Sequence, residues 1–404
     1  MATPKLRFKE FDGDWSESKL KDCIDSIDSG WSPQCESYPA DENEWAVLKT
    51  TSVDWDGFKA NFNKKLPSNL EARFEIEVKP NDILVTRAGP TERVGVVAVV
   101  PHNVRSKLMI SDKLIRLKAN NENNPEFLGI SLSSVKCQNQ LQSKTSGLAK
   151  SQTNISQKIL CDVSLMTPAK AEQTKIASFL SNVDEKISQL TQKHQLLSQY
   201  KQGMMQKLFS QQIRFKAGDG SEFGEWEEKE LKEVAEINPK AKKLPANFIY
   251  IDLESVEKGQ LLLQKNIELQ DAPSRAQRLL AKGDVLFQMV RPYQQNNYYF
   301  NLSGEYVAST GYAQIRTQLD SKFIYYALHE KTFLDEVMNR CTGTSYPAIN
   351  SSDLSSIEIF VPCLEEQTKI ANFLSAIDQK IEVVAQQIEQ AKTWKKGLLQ
   401  QMFV

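Results

Sequence analysis

The sequence predicts an α+β fold in which two mixed α/β domains are separated by two long antiparallel coiled-coil helices, as a pseudo-two-fold circular repeat. One observation behind this prediction is a short stretch that occurs twice, EQTKIASFLS at residues 172–181 and EQTKIANFLS at residues 366–375. Another is a sustained spacing of apolar residues after each copy, which is typical of helices that pair with another helix. A third is a mixture of short strand and helix patterns before each copy.

The repeat divides the chain of 404 residues into four segments, enough for two ordinary domains and the helices beside them. We predict a first globular domain at residues 1–167, a central helix at 168–212, a second globular domain at 213–361 and a C-terminal helix at 362–404.

Both globular regions are predicted to mix strands and helices. Short apolar runs predict buried strands, and these are ILVTR, GVVAVV and KLIRLK in the first region and VLFQMV and YAQIRT in the second. Helical spacing is typical of PEFLGISLSSVKCQNQL in the first region and KFIYYALHEKTFLDEVMNR in the second. The two regions share short landmark motifs, but their sequences differ in the stretches between these motifs. We therefore expect two similar long helices that carry two unlike globular heads.

Each repeated stretch opens a predicted long helix. Pro168 and Pro362 stand near the start, where proline costs little, and glutamates follow in the first turns. Apolar residues then recur at steps of four and three, which predicts a coiled-coil seam that we expect to be buried by antiparallel pairing. The predicted seam residues are Ile176, Leu180, Val183, Ile187 and Leu190 in the first helix and Ile370, Leu374, Ile377, Ile381 and Val384 in the second.

Lysines interrupt this seam at equivalent positions, Lys201 and Lys395. A lysine in a seam often sets the register of the pair, and a solvated end turn is the alternative. His194 also falls in the seam, where the second copy has Ile388, and we interpret it as a hydrated seam residue.

The repeat is circular. The motif LRFK at residues 6–9 answers IRFK at residues 213–216, and Trp15 answers Trp226. The second copy follows the first helix directly, whereas the first copy opens the chain, so the two units could almost be joined into a ring.

Composition and motifs limit the classes of function. The net charge is −1, yet residues 127–161, 93–111 and 285–304 contain no Asp or Glu, which indicates local positive surfaces unless the acids are spaced by chance. Six scattered cysteines without a CxxC pair argue against a zinc ribbon and fit a reducing cytosol. The N-terminal stretch lacks the features of a signal peptide, and no apolar run is long enough to span a membrane, so we expect a cytoplasmic protein.

Motifs of intrinsic catalysis are missing from the sequence. There is no GxxxxGK phosphate loop, and Asn238-Pro239 is followed by Lys240 rather than by the Pro-aromatic pair of adenine methyltransferases. Glu77-Val78-Lys79 imitates part of a nuclease motif but lies in an alternating stretch typical of a strand. The three histidines share no spacing suited to a metal or a nucleophile.

Over essentially its full length, the chain resembles the specificity subunit of Type I restriction–modification enzymes. The helix motif of that family, EQxxIAxxLSxxDxxI, is matched at residues 172–187 and 366–381. Landmarks of the family's target recognition domains resemble residues 82–87 and 145–155 in the first region and 283–291 and 342–349 in the second.

The resemblance implies a DNA-binding scaffold rather than an enzyme. Each target recognition domain would read one half of a split, asymmetric site on double-stranded DNA, and the paired helices would fix the gap between the halves. The helices would also dock two methyltransferase subunits, and two restriction subunits could join them. S-adenosylmethionine and ATP with Mg²⁺ would then belong to these partners, and no cofactor is expected in this chain.

Candidate DNA contacts follow from the chemistry of bases and phosphates, since guanidinium and amide groups read base edges and lysines bind phosphates. In the first region the candidates are Arg87, Arg93, Lys107, Lys113, Lys144, Lys150 and Gln152. In the second region they are Arg291, Tyr293, Gln294, Arg340, Thr344, Ser345 and Tyr346. Arg87 could instead pair with an acid such as Asp82, and the stretch 288–301 could be an ordinary polar hairpin.

Two alternatives of other classes remain at this point. The chain could be a coiled-coil adaptor that never contacts DNA, which its net charge permits, or, less favoured, an enzyme that modifies DNA by itself. The adaptor leaves unexplained why acids avoid the candidate loops and why the heads differ while the helices do not.

Overall fold

The computed structural model describes residues 4–149, 152–241 and 243–403. Two compact units make up the chain. The first consists of residues 1–189 with 387–404, and the second of residues 190–386. Each unit therefore contains one globular head and parts of both long helices. We call these parts the first unit and the second unit.

The head of the first unit is a mixed α/β structure. Its strands are β1 (Ser16–Lys19), β2 (Ile24–Ser29), β3 (Ala46–Leu48), β4 (Val53–Asp54), β5 (Gly57–Phe58), β6 (Asn63–Lys65), β7 (Ile83–Thr86), β8 (Ala88–Gly89), β9 (Val97–Val99), β10 (Leu108–Met109), β11 (Leu114–Ala119), β12 (Ser146–Ala149), β13 (Gln152–Asn154) and β14 (Ser164–Thr167). Its short helices are α1 (Pro125–Leu132), α2 (Val135–Gln142) and α3 (Gln157–Cys161).

The central sheet of this head has the order β2-β11-β7-β9 and is antiparallel throughout. All four residues of β7 are buried, because helices cover one face of the sheet and a second small sheet, β10-β3-β6, covers the other. Successive side chains of a strand point to opposite faces. Ile83 and Val85 accordingly pack with Leu128 of α1, whereas Leu84 packs with Leu108 of β10.

The head of the second unit is also mixed α/β. Its strands are β15 (Glu227–Glu230), β16 (Ala235–Ile237), β17 (Asn247–Ile251), β18 (Val256–Glu257), β19 (Gln260–Leu261), β20 (Lys265–Glu268), β21 (Ala276–Leu279), β22 (Val285–Gln288), β23 (Tyr298–Tyr299), β24 (Tyr306–Ser309), β25 (Tyr312–Thr317) and β26 (Glu358–Val361). The long helix α4 (Lys170–Phe209) precedes them, and the other helices are α5 (Leu231–Val234), α6 (Ser321–Ala327), α7 (Lys331–Asn339), α8 (Ser351–Ser355) and the long α9 (Leu364–Met402).

Two four-stranded sheets, β16-β25-β22-β23 and β20-β17-β24-β21, form most of this second head. The prediction of strands in all five apolar runs is confirmed, at β7, β9, β11, β22 and β25. Each of the two predicted head helices is instead a pair of short helices. The breaks fall where Ser134 and Glu330 turn their side chains back to cap the next helix, at the N–H groups of Cys137 and of Thr332 and Phe333.

The long helices pair in antiparallel fashion, as predicted. In the first unit, Ile176 and Leu180 near the start of α4 share a core with Leu398 and Met402 near the end of α9. In the second unit, Leu208 near the end of α4 shares a core with residues near the start of α9, which include Ile370, Leu374 and Ile377. Most predicted seam residues are buried, and Ile187 and Ile381 are partly buried.

Both seam lysines, Lys201 and Lys395, form ion pairs that join α4 to α9. Lys201 Nζ lies 2.6 Å from Asp378 Oδ1, and Lys395 Nζ lies 2.5 Å from Asp184 Oδ1. The lysines occupy equivalent positions of the repeat, and so do the aspartates. Because each pair forms only in one alignment of the helices, this arrangement favours the register-setting role over a solvated end turn.

A buried glutamate stands at the start of each long helix. In the first unit, Glu172 is 2% exposed and accepts hydrogen bonds from Arg7 Nε and Nη2, both at 2.7 Å, and from Trp15 Nε1 at 3.3 Å. In the second unit, Glu366 is fully buried and accepts from Arg214 Nε at 3.1 Å, Arg214 Nη2 at 2.8 Å and Trp226 Nε1 at 3.1 Å. We call each set of three residues a glutamate knot.

The glutamine that follows each glutamate joins the helix to its own head. Gln173 Oε1 accepts from the Asn124 N–H at 2.9 Å, and Gln367 Oε1 accepts from the Asp320 N–H at 3.1 Å. Asn124 and Asp320 are the N-cap residues of α1 and α6. The repeated Glu-Gln dipeptide is therefore a structural clamp between helix and head.

The circular order of the repeat is visible in one pair of backbone hydrogen bonds. The Ile213 N–H donates to Lys207 O at 3.2 Å, just after α4. The equivalent bond in the first unit is donated by the Leu6 N–H to Gln401 O at 2.9 Å, near the end of α9. A connection that is covalent in the second unit is thus reproduced by packing in the first.

We predict that Glu366→Ala destabilises the second unit by about 1.5–3 kcal/mol, because Arg214, whose side chain is 17% exposed, and the N–H of Trp226 would lose their charged acceptor. Urea denaturation followed by tryptophan fluorescence measures this change, since Trp226 belongs to the same knot. The matched control is Lys331→Ala, which removes an exposed ion pair with Asp335 and should cost below about 1 kcal/mol. Equal losses for the two variants would contradict a special role for the knot.

Candidate nucleic-acid interface

Several candidate DNA-contact residues of the first head lie at one edge of its central sheet. β7 ends at Thr86, and the next residue, Arg87, donates its backbone N–H to Lys113 O at 2.8 Å. The Ile155 N–H donates to Arg87 O at 3.0 Å, which brings in the end of the hairpin β12–β13. Lys113 and Lys144 are exposed and Arg87 is partly exposed. We call Arg87, Lys113 and residues 144–149 and 152–154 the first edge.

Two candidates of this edge cannot be placed by their side chains. Lys150 lies outside the described residues. Gln152 is described only by its backbone, in β13, which pairs with β8 directly after Arg87. The first edge therefore contains the described backbone of β12 and β13, and the roles of these two side chains stay predictions.

Arg93 is used inside the first head. Its Nη1 lies 2.7 Å from Asp54 Oδ1, and its Nη2 donates to Val53 O at 2.8 Å. Lys59 binds the other oxygen of the same carboxylate at 2.8 Å. Hydrogen bonds from Lys59 and Arg93 hold the pKa of Asp54 at about 2. The geometry gives Arg93 the task of fastening the β4–β5 hairpin, which sequence reasoning did not anticipate.

Lys107 also has internal partners and belongs to a different sheet. Its Nζ donates to Asn43 O at 2.8 Å, and its backbone N–H donates to Glu77 Oε1 at 2.7 Å. It directly precedes β10, which pairs with β3 rather than with β7 or β11. Glu77 is also paired with Lys79, so the stretch that imitates a nuclease motif is held by structural contacts.

Two neighbouring loops bring together the candidate DNA-contact residues of the second head. Val290 bridges Ala348, and the Arg291 N–H donates to Pro347 O at 2.7 Å. These contacts place the guanidinium carbon of Arg291 4.2 Å from the ring centroid of Tyr346. We call residues 290–297 and 342–348 the second edge. Its candidates Tyr293, Gln294, Thr344, Ser345 and Tyr346 are all exposed.

The stacking between Arg291 and Tyr346 is a contact that favours recognition. An arginine held flat against an aromatic ring keeps the edge of its guanidinium available for paired hydrogen bonds. Arg291 has a φ of 55°, in the left-handed region, at the point where the chain leaves the strand for a tight turn at Pro292–Gln294. This turn determines the direction in which the arginine leaves the sheet.

A buried layer of amides supports the second edge. Gln288, only 2% exposed, donates from Nε2 to Gln294 Oε1 at 2.8 Å and accepts from the Asn296 N–H at 3.0 Å. Its own N–H donates to Oδ1 of the buried Asn297 at 2.8 Å. Sequence reasoning missed Gln288 as a positioning residue. The available signal was a glutamine at the end of an otherwise apolar strand.

His329 lies beneath the same loop and is held neutral. Its Nδ1 is 2.7 Å from Tyr325 O, and its Nε2 is 3.3 Å from Asn297 Nδ2. Burial lowers the pKa of His329 to about 4. A neutral imidazole between a carbonyl and an amide fits a packing role in this head.

Arg340 is placed apart from the second edge. Its Nη1 donates to Ser356 Oγ at 2.8 Å and to Asp353 O at 3.2 Å, so it ties the end of α7 to the end of α8. The sequence had suggested a phosphate contact, whereas the structure gives this guanidinium partners inside the head.

The landmark aspartates have structural partners. Asp82 accepts from the Lys79 N–H at 2.9 Å and lies 3.5 Å from Arg116 Nη1. Asp284 accepts from Nε and Nη2 of Arg316, both at 2.8 Å. The acid considered as a partner for Arg87 is thus paired with another arginine.

The two edge arginines do not occupy equivalent positions. Ile155 donates to Arg87 O, and the matching bond in the second head runs from Ile349 to Met289 O at 3.1 Å. Arg87 therefore corresponds to Met289, although the family landmark suggested Arg291. The two edges differ in the placement of their charge as well as in their residues.

Metal binding and membrane insertion find no support within the described ranges. No cluster of His, Cys, Asp and Glu in this part of the chain is suited to hold a metal ion. None of the described helices combines the length and the hydrophobicity required to cross a membrane.

Residues 13–199 and 224–393 match the family described as Type I restriction modification DNA specificity domain. Since these matches span most of the sequence, the chain belongs to this family of DNA specificity proteins.

Individual relatives agree with this assignment. The specificity subunit of the Type I restriction enzyme EcoEI from Escherichia coli is 37% identical over 187 residues, which are 46% of this chain and 31% of that relative. The specificity subunit of MjaVIII from Methanocaldococcus jannaschii is 26% identical over 417 residues, covering 97% of this chain and 94% of the relative. The crystal structure of a Type I S subunit from M. genitalium shares the fold with a TM-score of 0.65 at 17% identity, covering 100% and 99% of the two chains.

We predict a pH-dependent contribution from Asp54. Its pKa is lowered from 3.8 to about 2 in the folded state, so its stabilising effect is complete above about pH 4 and is lost as the pH falls towards about 2. Compared with Asp54→Asn, the native protein should be more stable by on the order of 1 kcal/mol near pH 7 after solvent screening. Urea denaturation of both proteins across this pH range measures the difference. A difference that grows as the pH falls would contradict the assignment.

Proposed function

We propose that the chain is the sequence-specific DNA-recognition subunit of a Type I restriction–modification complex. Its two heads would each read one half of a bipartite, asymmetric DNA site. The observation that carries this proposal is that the two units share the same contacts in and around the long helices but expose different residues at their edges. The glutamate knots and the seam ion pairs recur in both units, whereas the exposed residues of the first and second edges differ.

At the second edge, Arg291 and Gln294 are proposed to contact base edges. A guanidinium makes two hydrogen bonds to guanine, and a carboxamide makes two to adenine. Both side chains are held in place before DNA arrives, the first by Tyr346 and the second by Gln288. This preorganisation reduces the conformational entropy that binding would cost.

At the first edge, Arg87, Lys113 and Lys144 are proposed to bind DNA, with the lysines on phosphates. Both lysines are exposed; Lys113 lies where β7 ends beside the start of β11, and Lys144 precedes the hairpin strand β12. Phosphate contacts position a protein on the duplex without reading sequence. We expect the contribution of these lysines to weaken as salt increases.

Two methyltransferase subunits are the proposed partners of the paired helices. Equivalent positions of a repeat can seat two identical subunits. Tyr200 of α4 and Trp394 of α9 are such positions, and they are 52% and 54% exposed. Large aromatic side chains left in solvent are typical of residues that a partner covers.

Catalysis is proposed to reside in the partners. S-adenosylmethionine would bind to the methyltransferase subunits, and ATP with Mg²⁺ to two restriction subunits that join for cleavage. A complex that modifies and cuts DNA would work in the cytoplasm.

A reconstitution experiment tests this function. The purified chain is incubated with DNA and S-adenosylmethionine, alone and with the methyltransferase subunit, and modified adenines are mapped by sequencing. We expect methylation at one bipartite site only in the mixture. Methyl transfer by the chain alone would support an enzyme instead, and a mixture whose site is unchanged by deleting either head would support an adaptor that does not read DNA.

We predict that Arg291→Ala lowers discrimination at one base pair of one half-site by about 1–3 kcal/mol, because a base-reading arginine is lost. The matched control is Arg340→Ala, an arginine of the same head whose partners are internal. Competition binding with DNA variants at each position of the site measures the effect. A uniform loss on all sequences would make Arg291 a phosphate contact, and a loss confined to the control would place recognition elsewhere.

A further inference from the structure

A cleft of about 830 Å³ opens in the first unit between the head and the long helices. Ile130 of α1 and Val99 of β9 form one wall, and Leu180 of α4 and Leu399 of α9 form the opposite wall. The seam ion pair of Asp184 and Lys395 lines the same space. The helix side of the cleft thus combines apolar walls with one carboxylate, Asp184, and two ammonium groups, Lys395 and Lys396, while Glu126 and Lys136 line its head side.

The repeat identifies the equivalent place in the second unit. Phe127 of α1 packs on Trp15 at 5.9 Å, and Phe323 of α6 packs on Trp226 at 6.1 Å between ring centroids. The caps of the two helices, Asn124 and Asp320, bind equivalent glutamines. Asn124 and Asp320 are separated by the same number of residues as Phe127 and Phe323, so α1 and α6 align without a gap.

In this alignment the cleft corresponds to space that tyrosines fill in the second unit. Ile130 is equivalent to Tyr326, and Gly129 is equivalent to Tyr325. Tyr326 is 3% exposed, and its hydroxyl donates to Asp378 Oδ2 at 2.7 Å. Lys201 Nζ lies 5.2 Å from the centroid of the same ring. The ion pair of Asp378 and Lys201 is therefore part of a complete phenol-binding arrangement.

The first unit keeps the ion pair without the phenol. Asp184 and Lys395 are the equivalents of Asp378 and Lys201, and they line the open cleft. Gly129 cannot carry a side chain here, since an added Cβ would lie 2.5 Å from Val99 Cγ2. Valine is stiff, so this contact does not relax easily. The neighbouring strand thus excludes the ring that Tyr325 supplies in the second unit.

We propose that the cleft of the first unit binds a phenol ring that the chain itself does not supply. The ring lies between Ile130 and Leu180, its hydroxyl donates to Asp184, and Lys395 contacts its face or edge. The inference goes beyond DNA recognition, because the cleft shares no residue with the first edge. Its argument depends on the filled arrangement around Tyr326 and not on the proposed function.

The test uses p-cresol, which is the side chain of tyrosine as a free molecule. Ligand-observed NMR titration of the full chain should show saturable binding of p-cresol. Toluene, which lacks the hydroxyl, should bind at least about tenfold more weakly, because it cannot donate to Asp184. Equal binding of the two ligands, or no saturable binding of p-cresol, would overturn the proposal.

Two substitutions locate the site. Ile130→Tyr should fill the cleft as Tyr326 fills its counterpart, and it should weaken p-cresol binding at least about tenfold. Ile130→Leu, the matched control of similar volume, should leave binding within about twofold. Melting temperatures of both variants show that they are folded. Unchanged binding in a folded Ile130→Tyr protein would overturn the assignment of the cleft.

A final arm distinguishes the sources of the ring. The methyltransferase subunit is added to the complex of chain and p-cresol. Displacement of p-cresol in the native chain, together with weaker subunit binding in Ile130→Tyr, assigns the ring to a side chain of that partner. Retention of p-cresol in the assembled complex assigns it to a free small molecule.

Discussion

The buried glutamate at the start of each long helix is the interaction on which the rest of the structure depends. A carboxylate without water needs charged or polar partners, and each glutamate finds them in an arginine and a tryptophan from far away in the sequence. Arg214 lies in the segment between α4 and the second head, Arg7 lies in the equivalent segment before the first head, and the two tryptophans directly precede β1 and β15. One charge therefore fastens a helix to its head and closes the circular repeat.

This constraint separates the frame from the heads. The frame is repeated to the level of single hydrogen bonds, as the bonds from Leu6 and Ile213 demonstrate. The heads retain their central sheets and their landmark aspartates but change the residues at the edges. Because the frame does not depend on the edge residues, the two edges are free to differ, as the proposed reading of two unlike half-sites requires. The heads also differ where they contact the frame, since Tyr326 binds the seam aspartate Asp378 and its equivalent in the first unit is Ile130.

Prediction succeeded where the signal was local. The long helices, the seam and the strands follow from periodicity, which depends on neighbouring residues in the chain, whereas each predicted head helix is broken into two by a capping residue. The candidate DNA contacts were chosen by residue type, and this criterion cannot detect a partner distant in sequence. Arg291 and Tyr346, candidates on two separate loops, come together at the second edge, whereas Arg93 and Arg340 have partners inside their heads. Gln288 was missed because its importance comes from the loop that folds over it.

By itself, the sequence determined the repeat, the two paired helices, their polar seam positions and the presence of two unlike heads. These features follow from spacing and from copies of a motif, and neither requires knowledge of a contact. Only the tertiary structure decided which cations are already paired, that Arg87 corresponds to Met289, and that a cleft remains open beside Asp184. The physical reason is that charge pairing and cavity formation depend on distances between chain segments, and those distances are set by packing rather than by the order of residues.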